Sequence, residues 1–169
     1  NIKRIYINGF KNVDNVNVTL SKLTSLLSTN NFGKSNYLEA VDFAMAFISA
    51  NPKEKIQMMN IKNLIPILNS NFGKNFKFEI EFSSKLNNES CDVVYGYEFQ
   101  WGLYKEKEAK IVKEYLKIKQ SDSQKFSLLV DRENENCDKL YNLKFLNIDM
   151  DIVNKIELNV DILSNSLFL

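Results

Sequence analysis

Asn30-Asn31-Phe32-Gly33-Lys34-Ser35-Asn36-Tyr37-Leu38-Glu39-Ala40 is the stretch whose reading decides the fold. Gly33-Lys34-Ser35 matches the end of a phosphate-binding loop, and a helical pattern starts at once behind it. Tyr37/Leu38, Val41, Ala44/Met45 and Ile48 recur at helical spacing. A helix start presents unpaired backbone N–H groups and the positive end of a dipole, which suits a polyphosphate. In that reading Ser28, Thr29, Asn30, Asn31, Phe32 and Gly33 wrap the phosphates. Lys34 reaches the terminal phosphates and is the catalytic candidate, and the Ser35 hydroxyl ligates Mg²⁺.

The full pattern is G-x-x-x-x-G-K-[ST], and here Ser28 stands where the first glycine belongs. A serine pays more than glycine for the backbone shape needed there. The bland alternative is a solvated turn before a helix, with Ser35 as its N-cap. Asn71-Phe72-Gly73-Lys74 repeats Asn31-Phe32-Gly33-Lys34, but Asn75 follows it and a strand pattern comes next. Gly-Lys alone therefore means little, and the second copy reads as a turn.

Upstream, Ile2–Ile7 reads as a strand, Gly9-Phe10-Lys11-Asn12 as a turn, and Val16, Val18 and Leu20 as a second strand. Leu23–Leu27 reads as a buried strand feeding the loop. Asn51-Pro52 stops the helix, and residues 53–68 are weakly helical up to the Pro66 and Asn/Ser/Gly break. Four alternating series follow: Phe76/Phe78/Ile80/Phe82, Val93/Tyr95/Tyr97/Phe99/Trp101, Val112/Leu116/Ile118 and Phe126/Leu128/Val130. Polar turns at 84–91, 102–109, 120–124 and 133–138 separate them, as in an antiparallel meander with one packed face. Residues 149–163 read as a helix. The fold class is α/β with α+β character, in one domain over 1–169: strands, loop and helix (1–50), an irregular helical part (51–75), antiparallel strands (76–132) and a mixed end (133–169). The apolar ending Ser166-Leu167-Phe168-Leu169 suggests a chain that continues.

Composition narrows the chemistry. The chain has 169 residues, a formal net charge of +1 and no histidine. Histidine-based nucleophile activation, general base chemistry and metal ligation are thereby excluded for this chain. The small net charge offers no global basic field for nucleic acid. No run of 18 apolar residues indicates a membrane span. Cys91 and Cys137 are far apart in sequence and read as reduced thiols of a cytoplasmic protein. Of the 22 basic residues only Arg4 and Arg132 are arginine, so scattered lysines say little.

Four features invite functional readings. Asp149 and Asp151 resemble a metal pair but read better as a solvated helix start. Glu79 and Glu81 read as a solvated face behind Phe78/Ile80/Phe82. Tyr95, Tyr97, Phe99 and Trp101 could stack bases, yet alternation favours the core. Lys105, Lys107, Lys110, Lys113, Lys117 and Lys119 form a strip that Glu106, Glu108 and Glu114 dilute.

The residues 5–12 (Ile5-Tyr6-Ile7-Asn8-Gly9-Phe10-Lys11-Asn12) and 33–43 (Gly33-Lys34-Ser35-Asn36-Tyr37-Leu38-Glu39-Ala40-Val41-Asp42-Phe43) together resemble the amino-terminal lobe of ABC-type head ATPases. These are relatives of SMC and RecF proteins and of OLD nucleases, closest to AAA-family ATPases of bacterial abortive-infection and phage-defence systems. Phe78–Phe82, Tyr95–Phe99, Ile111–Leu116 and Val130-Asp131-Arg132 are similar to the sheet after the first helix of that family. The resemblance implies Mg²⁺ and ATP as cofactor and substrate, with Lys11, Asn12 and Asn36 beside the nucleotide. It further implies a missing carboxy-terminal lobe carrying the signature motif and catalytic carboxylate. Homodimerisation through the heads and a DNA or effector-nuclease partner are implied as well, without any membrane. Two other classes share part of these features: a dimerisation module with a degenerate loop, and a small-molecule kinase. Kinases of that kind usually begin with the strand that feeds the loop, whereas two strands precede it here.

Overall fold

The computed structural model describes residues 1–25, 33–66, 73–86, 89–103, 107–120 and 123–133. Its spine is a six-stranded antiparallel sheet in the order β2-β1-β3-β4-β5-β6. The strands are β1 (Ile2–Asn8), β2 (Val16–Thr19), β3 (Phe76–Leu86), β4 (Glu89–Gln100), β5 (Lys110–Gln120) and β6 (Ser127–Glu133). Helix α1 (Lys34–Ser49), helix α2 (Pro52–Met59) and a 3-10 turn (Lys62–Leu64) come between β2 and β3. The expected meander is present, with longer strands: β3 and β4 run well into the expected 84–91 turn.

Alternation decides which face is packed. Ile5 and Ile7 pair with Ile80 and Phe78, and these pair onward with Tyr95 and Tyr97. All six are buried. Helix α1 lays Tyr37, Ala40, Phe43, Ala44 and Phe47 on this face, at spacings of three and four. The Phe43 ring stands 5.5 Å from Phe10, 5.4 Å from Phe76 and 5.8 Å from Trp101. Phe47 stacks 4.9 Å from Phe99 and 5.2 Å from Tyr97. The polar tips are satisfied inside: Tyr97 donates to Ala44 O at 3.0 Å and Trp101 Nε1 to Gly9 O at 2.9 Å. The aromatic series is core, with no face left for bases.

Four expectations need correction. Leu23 is 89% exposed and residues 21–25 form no strand, so the buried feeder strand is absent there; Leu26 and Leu27 lie outside the described residues. Glu79 and Glu81 are not simply solvated. They flank Arg4, which pairs with both, and Glu79 also accepts a hydrogen bond from Tyr115. That contact requires Gly96, because a Cβ there would come within 2.4 Å of the Tyr115 ring.

Glu114 does not dilute a lysine strip, since it is buried on the helix side of the sheet. Plain alternation puts it on the face of Leu116 and Ile118. A bulge brings Ile111 to the same face: Lys113 faces Glu98 while Ile111 faces Phe99, so Val112 is extra. Glu114 accepts from Tyr95 Oη at 3.0 Å and from Arg132 Nη1 at 3.3 Å. Burial nonetheless raises its carboxyl to about 7, against the opposing pull of those two partners. A second bulge makes Leu129 extra in β6, so Leu129 and Val130 are both buried.

Lastly, the strip itself is partly neutralised. Lys113 pairs with Glu133 and Asp131, Lys119 with Asp92, and Lys117 sits over the Tyr115 ring. Lys107 and Lys110 remain exposed, and Lys105 and Glu106 lie outside the described residues.

Candidate phosphate site at the start of helix α1

The first helical residue is Lys34, directly after Gly33. Gly33 has φ +97°, a left-handed conformation that glycine adopts without the Cβ penalty of other residues. As N-cap it has no side chain to offer the first N–H groups, and the first turn contains no acid. Gly33 O accepts from Tyr37 N at 2.7 Å, which closes the first turn. Ser35 is therefore inside the helix at its second position and is not the cap. Lys34 and Ser35 are both exposed. Ser28, Thr29, Asn30, Asn31 and Phe32 lie outside the described residues.

The turn between β1 and β2 comes to the same helix end. Gly9 allows it, because a Cβ there would meet Asn75 O at 2.1 Å. Phe10 and Val13 are buried and close the turn through Val13 N to Phe10 O at 2.7 Å. Between them, Lys11 takes a left-handed φ of +48° and its N–H donates to Leu64 O at 2.8 Å. Asn12 accepts from Asn36 Nδ2 at 2.7 Å. The Asn12 amide also borders Gly33, 3.7 Å from where a Cβ would stand. Asn12 from the β1–β2 turn thus converges with Gly33 and Asn36 at the mouth of α1.

Lys11 Nζ reaches both carboxylate oxygens of Glu39 at 2.7 Å and lies 5.8 Å from the Phe10 ring centre. Glu39 was not singled out by motif or spacing. Its only local sign is its position three residues after Asn36, on the same helix face. Tyr37 adds one loose end: its hydroxyl is buried with no hydrogen-bond partner among the described residues, and burial raises its pKa.

This arrangement fits an anion chemically. Backbone donors at a helix start, an uncapped first turn and nearby ammonium groups favour phosphate. The Ser35 hydroxyl is a hard oxygen of the kind Mg²⁺ accepts alongside phosphate oxygens and water. No cluster of three His, Cys, Asp or Glu residues that could hold a metal by itself occurs among the described residues. Asp149 and Asp151 lie outside them. No helix among the described residues is long and apolar enough to cross a membrane.

The Gly73-Lys74 copy behaves differently. Gly73 is also left-handed, at φ +67°, but Lys74 pairs with Asp14 at 3.0 Å and the chain enters β3. It is a turn, as its context suggested.

No protein-family model and no curated protein matches this chain. Among solved structures, one from work on the ATP-driven dimerisation and DNA-stimulated activation of SMC ATPases is similar. Its TM-score is 0.42 at 18% identity, over 98% of this chain and 98% of that chain. A likeness of that size assigns neither fold family nor activity.

Proposed function

We propose that the start of α1 binds the phosphates of ATP with Mg²⁺, and that the chain is the amino-terminal lobe of an ABC-type ATPase head. The observation that carries this reading is a helix that begins on Gly33-Lys34-Ser35 with neither a capping side chain nor an acid in its first turn. In this reading the backbone N–H groups from Gly33 onward hold phosphate oxygens. Lys34 neutralises charge that develops on the transferred phosphoryl group. Ser35 would lend its hydroxyl to Mg²⁺, which would offset the charge of the phosphates. Asn36, Asn12 and Lys11 border the phosphates from the hairpin side. Ser28 to Phe32 complete the loop.

The resemblance extends the proposal: a second lobe supplies the carboxylate for the attacking water, and a partner head supplies the signature motif. The intact protein would then be a cytoplasmic homodimer that couples ATP hydrolysis to a DNA-related or phage-defence task. The chain alone would bind ATP weakly and turn it over very slowly.

Calorimetric titration of Mg²⁺–ATP into the chain and into Lys34→Ala tests the central claim. Binding that disappears in Lys34→Ala supports it. Equal heats in both proteins would remove the phosphate loop and leave a dimerisation module with a degenerate loop, the reading that Ser28 motivates.

A further inference from the structure

We infer that Glu39 is a positioning residue of the phosphate site, holding the Lys11 ammonium against the first turns of α1; this rests on the phosphate-loop reading above. Lys11 is fixed twice. Its backbone is held in the left-handed region by the bond to Leu64 O, between two buried neighbours, Phe10 and Val13. A non-glycine residue in that region persists only where its surroundings over-determine it. Its side chain is then held by both oxygens of Glu39, each at 2.7 Å. Asn36, one turn before Glu39 on the same face, binds the neighbouring Asn12. One face of α1 therefore grips two successive residues of the hairpin tip, one through an amide and one through a carboxylate. Without Glu39 the long Lys11 side chain would regain its rotamer freedom and would have to be ordered by the ligand itself.

Simple electrostatics predicts the opposite sign. Glu39 carries negative charge close to a polyphosphate, so its removal should tighten binding if repulsion were its only effect. The two accounts separate in a four-way comparison of the full chain, Glu39→Gln, Lys11→Met and the double variant, titrated with Mg²⁺–ATP. Positioning predicts that Glu39→Gln weakens binding by about two- to fivefold, the range an exposed ion pair supports. In the Lys11→Met background the same change should have no effect or should tighten binding. Glu39→Asp, which keeps the charge on a shorter stem, should recover part of the loss. Thermal midpoints of all variants report whether the fold is intact. Unchanged or tighter binding in Glu39→Gln, or equal weakening with and without Lys11, would overturn the inference. If Lys34→Ala abolishes binding while Glu39→Gln leaves it alone, only this inference fails. If Lys34→Ala has no effect either, the phosphate-loop reading fails with it.

Discussion

The two α-helices among the described residues begin in opposite ways. Helix α2 closes its own start: Asn51 accepts from Glu54 N at 3.0 Å, and Glu54 accepts from Asn51 N at 2.9 Å. Pro52 occupies the first turn, where no N–H is needed, and Glu54 meets the positive dipole end. Helix α1 is twice as long and begins on a glycine, with no side-chain cap and no acid. Its hairpin neighbours bring amides and an ammonium to the same end. The chain has the residues to cap a helix well and uses them on the shorter one. Donors that α2 satisfies internally are, at α1, available to the loop before it and to an anion.

If that contrast is right, the α2 side should answer to internal electrostatics and the α1 side to phosphate. The largest effect expected is on pH dependence. Lys55 of α2 is fully buried, donates to Ala50 O, and lies in the field of Glu114. Glu114 holds its proton up to about pH 7 in the folded chain, against 4.5 for an ordinary glutamate. The folded state therefore binds more protons between those values, and stability falls as pH rises from about 4.5 to about 7, then flattens. The slope contributed by this one group is at most about 1.4 kcal/mol per pH unit. Urea unfolding of wild type and Glu114→Gln across that range checks this. The variant should lose that component of the slope.

Next comes Ser35→Asp, which places an acid in the open first turn. It should raise stability by about 0.5 kcal/mol and lower Mg²⁺–ATP affinity by about tenfold or more, through repulsion of phosphate. Opposite signs in denaturation and calorimetry would sharpen the contrast; matching signs would break it. Asn51→Ala removes the cap of α2 and should cost about 1 kcal/mol with no change in ATP binding. The smallest effect belongs to the second Gly-Lys copy. Lys74→Ala should lose no more than about 1 kcal/mol, as for a surface ion pair, and leave the calorimetric isotherm unchanged.

Much of this architecture was legible in the chain. The β3 and β4 series, the start of α1 and the stop at Asn51-Pro52 all rest on local signals. The burial of Trp101 and Tyr97 follows the same alternation. The reading failed where a local rule met a non-local condition. Leu23 looks like part of a buried strand only because apolar neighbours suggest it, yet among the described residues no partner strand covers it. Ile111 and Leu129 are buried because bulges inserted one residue each, and a bulge is defined by the partner strand. Glu79 and Glu81 share a face, as their spacing requires, but Arg4 and Tyr115 come to them from other strands.

At the candidate site, Gly33-Lys34-Ser35 and the helix behind it were determined by sequence alone, because a motif and a helical period are both short-range patterns. Tertiary structure alone decided that Lys11 meets Glu39 and that Asn12 meets Asn36. Those contacts span 28 and 24 residues. They arise because the β1–β2 turn and α1 pack through Phe10 and Phe43 on one side of one sheet.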